Sequence, residues 1–103
     1  MKKKQLYDDM QLKIAARLTD LRQKDFSSLA EFPKYTDEAH QFGRWKYTLA
    51  VWCDRKSESL IQVVAQAYYH WILGIGTMMA DGFRIQKDGS IVELPQEELQ
   101  SFK

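Results

Sequence analysis

The chain opens with an apolar repeat at steps of three and four. Tyr7, Met10, Ile14, Leu18 and Leu21 recur in this way, which is the spacing that lines side chains along one face of an α-helix. A helix over residues 6–23 is predicted. Asp8 and Asp9 fall in its first turns and Arg22 and Lys24 at its end, so most charges suit the helix dipole. The lysines at the extreme N-terminus suit it less and are expected to fray. Residues 25–42 break the pattern. Ser28 and Glu31 have capping-box spacing, but Pro33 stops any helix begun there within a turn or so, and Thr36, Asp37 and Glu38 are placed to start another short turn. Phe26, Leu29, Phe32, Tyr35 and Phe42 make this an irregular segment expected to pack over the core.

The period then changes to two. In residues 44–54, Trp45, Tyr47, Leu49, Val51 and Cys53 share one face, and Arg44, Lys46, Thr48, Ala50, Trp52 and Asp54 share the other. After a polar turn, residues 60–71 alternate again. Ile61, Val63, Ala65, Ala67, Tyr69 and Trp71 fall on one side, and Leu60, Gln62, Val64, Gln66, Tyr68 and His70 on the other. Gln62, Gln66 and His70 are also four apart, as in a polar helix stripe. Three β-branched residues and the large rings of Tyr68, Tyr69 and Trp71 favour a strand. The apolar faces coincide only when odd residues pair with odd. One such register sets Val51 opposite Val63, Leu49 opposite Ala65 and Tyr47 opposite Ala67, with the alanines forming a trough for the helix.

Residues 73–76 read as a glycine-punctuated turn, and residues 77–86 as a third strand that Gly82 bends or bulges. Asp88 and Gly89 carry a hairpin signal before a short strand over residues 90–94. Pro95 suits the first position of a last short helix, with Glu97 and Glu98 in its first turn and Leu99 and Phe102 docking it. The whole predicts a single α+β domain over residues 1–103. An N-terminal amphipathic helix packs on a three- to four-stranded antiparallel meander with a short C-terminal helix.

Composition narrows the function classes. Hydrophobic residues are 45% and charged residues 28% of the 103, which excludes a disordered chain. Fifteen basic residues against 14 acidic leave a net charge of +1. That balance counts against a dedicated binder of nucleic acid or anionic membrane. Arg44, Lys46, Arg55 and Lys56 among the rings of the sheet region have the make-up of a single-strand binder, but Asp54, Glu58 and Asp81 offset them. The single cysteine, Cys53, excludes an internal disulfide and a multi-cysteine zinc site, and its place on the apolar face marks it as a buried hydrophobe. Lys2, Lys3 and Lys4 begin like a signal peptide, but Gln5, Asp8 and Asp9 interrupt the apolar run, so a cytoplasmic protein is expected. Residues 60–80 carry no Asp, Glu, Lys or Arg and are long enough to span a bilayer. Gln62, Gln66, His70, Gly74 and Gly76 count against a spanning helix, so no membrane association is expected.

No catalytic motif stands out. Gly74-Ile75-Gly76 lacks the third glycine of a dinucleotide fingerprint and precedes an extended segment. His40 and His70 lie far apart, and nothing in their spacing with Asp81 prepares a metal site. No metal and no cofactor are expected. Asp81 is the most informative polar residue, because alternation sets it with Met79, Phe83 and Ile85 towards the core. It either lines a pocket near His70, Tyr68 or Tyr69, or is relieved locally. A bulge at Gly82 would return it to solvent, or its carboxylate would bond backbone amides at the bend, and this structural reading is preferred.

One helix about 27 Å long and roughly 10 Å wide shields only one face of a sheet. The opposite face still carries Trp52, Leu60, Val64 and Tyr68, which residues 26–42, a second subunit or a ligand must cover. The expected function is a small non-enzymatic protein-interaction or regulatory module, a homodimer formed through its sheet or the sheet edge, or a binder of a protein partner. The alternative is a small-ligand-binding protein or enzyme with a pocket between helix and sheet, built from His70, Asp81 and Tyr69. A single-stranded nucleic-acid binder ranks last.

Overall fold

The computed structural model describes residues 3–72 and 75–99, and the side chains of residues 3 and 70–76 lie outside the described set. The elements are α1 (Lys3–Arg22), α2 (Phe26–Ala30), β1 (Tyr35–Phe42), β2 (Trp45–Ser57), β3 (Leu60–Ile72), β4 (Ile75–Gln86), β5 (Ile91–Glu93) and α3 (Gln96–Leu99). The strands form one antiparallel sheet in chain order. The architecture is the α+β arrangement that the periodicity predicts, with a five-stranded sheet in place of three to four strands. The additional strand is β1, which the sequence reading assigned to an irregular segment. Its residues alternate between exposed and half-buried. An edge strand of this kind shows only a weak apolar alternation, and it is pairing with β2 that makes it a strand.

The core lies between α1 and the sheet. Leu6, Met10, Ile14, Leu18 and Leu21 are all buried against the odd-numbered residues of β2, β3 and β4. Leu6 takes the place in the stripe expected of Tyr7, which is half-buried with its hydroxyl 3.3 Å from Thr77 Oγ1. The helix starts at Lys3 rather than residue 6. In α2 the capping residue is Asp25, not Ser28. Its carboxylate accepts the Ser28 N–H at 2.8 Å, and this bond holds the carboxyl below the usual carboxylate range. Phe26 and Leu29 of α2 join the core on the α1 side with Phe32 and Phe42 packed against it, so of the five large apolar residues in 26–42 only Tyr35 reaches the opposite face, where its ring lies against Trp52.

Odd residues of β2 do pair with odd residues of β3, but two positions further along than the expected register. Val51 faces Ala65, Leu49 faces Ala67 and Cys53 faces Val63. Parity excludes only slips of one residue. The strands run on to Ser57 and Leu60 with a bulge between Arg55 and Ser57, and this tighter turn sets the final register. Ala65 and Ala67 are fully buried where α1 lies across the sheet.

Gly82 does not bulge. The pairing of β3 with β4 runs in one register from Leu60↔Gln86 to His70↔Gly76, and the irregularity falls between His70 and Ile72. Residues 60–72 and 75–80 are therefore strand. Among the described residues, no helix is long and apolar enough to cross a membrane. Of the expected turn at residues 73–76, β4 already contains Ile75 and Gly76, and residues 73–74 lie outside the described set. At the next hairpin Gly89 has φ 95°, where a side chain would be strained, and the Asp88 carboxylate accepts the Ser90 N–H at 2.9 Å. A second small cluster, Val64, Ala80, Leu94 and Leu99, sits on the far face of the sheet where α3 docks. Phe102 lies outside the described residues.

Candidate functional site

Trp52, Leu60, Val64 and Tyr68 fall on the face opposite α1, but the structure divides them. Val64 is 1% exposed and packs against Ala80, Leu94 and Leu99. It is not part of a free surface, because α3, short as it is, folds back onto this end of the face. Leu60 is half-buried at the start of β3. Trp52 and Tyr68 are half-buried and line a groove of about 320 Å³ together with Tyr35, Thr48, Ala50, Gln66 and Met78. The register builds this groove. Tyr35 pairs with Trp52, Ala50 with Gln66, Thr48 with Tyr68, and Tyr68 with Met78. The Tyr35 and Trp52 rings lie 5.0 Å apart at 52°, and Gln66 Nε2 donates to Met78 Sδ at 3.0 Å. The small side chains of Thr48 and Ala50 leave the floor low between the rings.

The groove ends at the outer edge of β4. β5 is short and pairs only with Phe83, Arg84 and Ile85. The Gly82 carbonyl accepts the Leu94 N–H at 3.1 Å and Gln86 N–H donates to the Ser90 carbonyl at 2.9 Å, so the even-numbered residues of β4 turn their backbone groups outward. By the same alternation Gly76, Met78 and Ala80 do so too. Among the described residues no strand lies beside them.

Between α1 and this edge lies a cleft of about 520 Å³, lined by Asp8, Gln11, Leu12, Ile14, Ala15, Met79, Ala80 and Asp81. Asp81 is half-buried on the α1 side, and its Oδ1 accepts the Gly82 N–H at 2.8 Å. The carboxylate is thus relieved by a backbone amide, without the bulge that was the other structural option. Tyr69 is buried in the core at 6% exposure. It pairs with Thr77, whereas Asp81 pairs with Ala65, so the two lie about 13 Å apart along the sheet and do not converge. His70 pairs through its backbone with Gly76, and its side chain lies outside the described residues.

A polar cluster that sequence reasoning missed pins α1 to β1 and β2. The Tyr47 hydroxyl donates to Asp9 Oδ2 at 2.7 Å, and Lys13 pairs with Asp9 at 3.2 Å. Burial, and then this bond to Asp9, hold the Tyr47 phenol well above its ordinary range. The His40 ring stacks on Tyr47 with centroids 5.5 Å apart. His40 Nε2 is buried with no hydrogen-bond partner among the described residues, 3.5 Å from Glu38 Oε1, and Arg17 pairs with that same carboxylate. No local signal could have found the group, since Asp9 and Tyr47 are 38 residues apart. His40 had drawn attention only as a metal ligand. Among the described residues no three His, Cys, Asp or Glu side chains are placed to hold a metal ion. Cys53 is buried, and burial pushes its thiol up to about 11, away from nucleophilic use.

Neither a family model, nor a curated protein, nor a solved structure matches this chain.

Proposed function

We infer that the protein is a small non-enzymatic protein-interaction module that self-associates through its sheet as a homodimer. The observation that supports this is the ring-lined groove on the face opposite α1. There α3 covers the β4–β5 end, while Trp52 and Tyr68 stay half-buried in the groove between Tyr35 and Met78. Large rings held half-open on a rigid floor are the side chains that anchor protein interfaces, because they bury much area with little loss of rotamer freedom. Sedimentation equilibrium over a wide concentration range tests the reading. A mass that rises to twice 12.1 kDa is expected, with weaker association in Tyr68→Ala, whose neighbour on the outer strand is Met78. A monomer at every concentration overturns it.

A second reading draws on the cleft beside α1. Its volume is within the range of small-molecule sites, and the carboxylates of Asp8 and Asp81 among apolar walls suit a cationic amphiphile such as an alkylamine. Binding of alkylamines that weakens in Asp8→Asn is expected from it. An alkylamine series that leaves the melting temperature unmoved removes this reading.

A further inference from the structure

Among the described residues, the edge of β4 is unguarded in a way that the other edge of the sheet is not. Natural edge strands avoid adding foreign strands by carrying charge or proline, or by being covered. On β1, Asp37, Glu38 and His40 lie within the eight residues of the strand. On β4, nothing charged and no proline occurs from Ile75 to Ala80. The first charge is Asp81, and its carboxylate is turned onto the Gly82 amide. With the Gly82 carbonyl already bonded to Leu94, the open run ends at Ala80. Among the described residues, the outward backbone groups with no strand beside them are then those of Gly76, Met78 and Ala80.

The geometry points to a second copy of this chain as the occupant of that edge, added antiparallel about a twofold axis at Met78. This rests on the reading that the protein self-associates and names the seam. Only a register centred on Met78 uses every open position and no closed one. It sets Met78 against its own copy and Gly76 against Ala80 of the second copy, making about six hydrogen bonds across the seam. A register centred on Ala80 would need the outward groups of Gly82, which are already bonded. The side chains agree with the axis. Small residues stand two positions either side of Met78, so nothing bulky opposes the approach of the two backbones. Thr77 and Met79 of the added strand would enter the cleft beneath α1, where Leu12 is 67% exposed at the rim. Met78 also closes one end of the ring-lined groove, so pairing at this residue joins the two grooves into one floor. A self-complementary seam is what a closed dimer requires, and it leaves the charged β1 edges outermost.

The test uses the full chain with Cys53→Ala and a single new thiol, either Met78→Cys or the groove control Thr48→Cys, treated with a short bis-maleimide. A covalent dimer from Met78→Cys and little from Thr48→Cys is expected. Sedimentation of Met78→Pro and Met78→Lys accompanies it. Proline at an outward N–H removes no bond to β3, so the fold is kept while the dimer dissociation constant rises by about tenfold or more. Met78→Lys does the same by charge, should the proline variant not fold. If the unmodified chain is a monomer throughout, both the seam and the self-association reading fall. If it is a dimer that persists in both variants and does not cross-link at position 78, the seam alone falls. A monomer whose Met78 and Ala80 amides exchange slowly would mean that the chain's own terminal residues cover the edge, and that too overturns the seam.

Discussion

A Cβ placed on Gly82 would lie 2.3 Å from the carbonyl oxygen of Val63 on the neighbouring strand, with Leu94 Cδ1 at 3.0 Å and Val64 Cα at 3.1 Å. The glycine is therefore required by the close approach of β4 to β3, and not by a bulge. Gly82→Ala forces two backbones apart beneath the α3 cluster. Overpacking of this kind costs about 1–3 kcal/mol, and the rigid backbone oxygen puts this case at about 2–3. The urea midpoint should fall accordingly with an unchanged m-value. A midpoint equal to that of the unsubstituted chain would show that the sheet opens there freely.

Tyr47 couples stability to alkaline pH. Its phenol is held well above the ordinary value in the folded chain, so the neutral form is favoured by folding. That contribution is complete below about pH 10, where the unfolded phenol is still protonated, and is lost progressively as the pH rises beyond it. In Tyr47→Phe the alkaline loss of stability should be shallower. At neutral pH the variant should be destabilised by about 1 kcal/mol, because the half-buried Asp9 loses one of its two donors and keeps only Lys13. Chemical denaturation at neutral pH and above pH 10 compares the two chains, and parallel pH profiles would contradict the assignment.

Cys53 should behave as part of the core. With the thiol pushed up to about 11 by burial, alkylation of the native protein near pH 8 should be slow and should rise steeply on unfolding in urea. Because the folded value is raised, the thiol also contributes stability that is complete below its ordinary value near 8.5 and fades as the pH climbs through 11. Rapid labelling of the native chain at pH 8 would place Cys53 nearer the surface than the fold allows.

The two halves of the far sheet face should separate in mutagenesis. Leu99→Ala removes a fully buried side chain from the cluster with Val64, Ala80 and Leu94, and should cost about 2–3 kcal/mol of stability. Trp52→Ala, in the groove, should lower stability far less, because its ring is already half-exposed. Thermal melts of both variants measure the contrast. Equal losses of stability would erase the division.

Much of the fold could be read residue by residue, because its signals are short-ranged. The three-and-four spacing marked α1, and strict alternation marked β2 and β3 against a competing helical stripe at Gln62, Gln66 and His70. The Asp88-Gly89 pair marked the last hairpin. β1 escaped because an edge strand that is nowhere fully buried carries little apolar alternation. Of the site, Trp52 and Tyr68 were legible as residues of the face away from α1. Val64 was placed on the correct face and α3 was anticipated from Pro95, Glu97, Glu98 and Leu99, but which face of the sheet α3 docks on, and so that it hides Val64, was not. The Asp9–Tyr47–His40–Glu38 cluster left no trace, since its members come from three elements.

Periodicity in this chain settles which residues form rods, which form strands and which side of each is apolar, since these depend on backbone repeats a few residues long. Register, the fifth strand, the covering of Val64 and the bare outer edge of β4 were decided by packing at a distance. Slipping β2 past β3 by two residues, or ending β5 after Glu93, keeps every local pattern intact. Only the fit of turns, bulges and the close contact at Gly82 chooses among such arrangements.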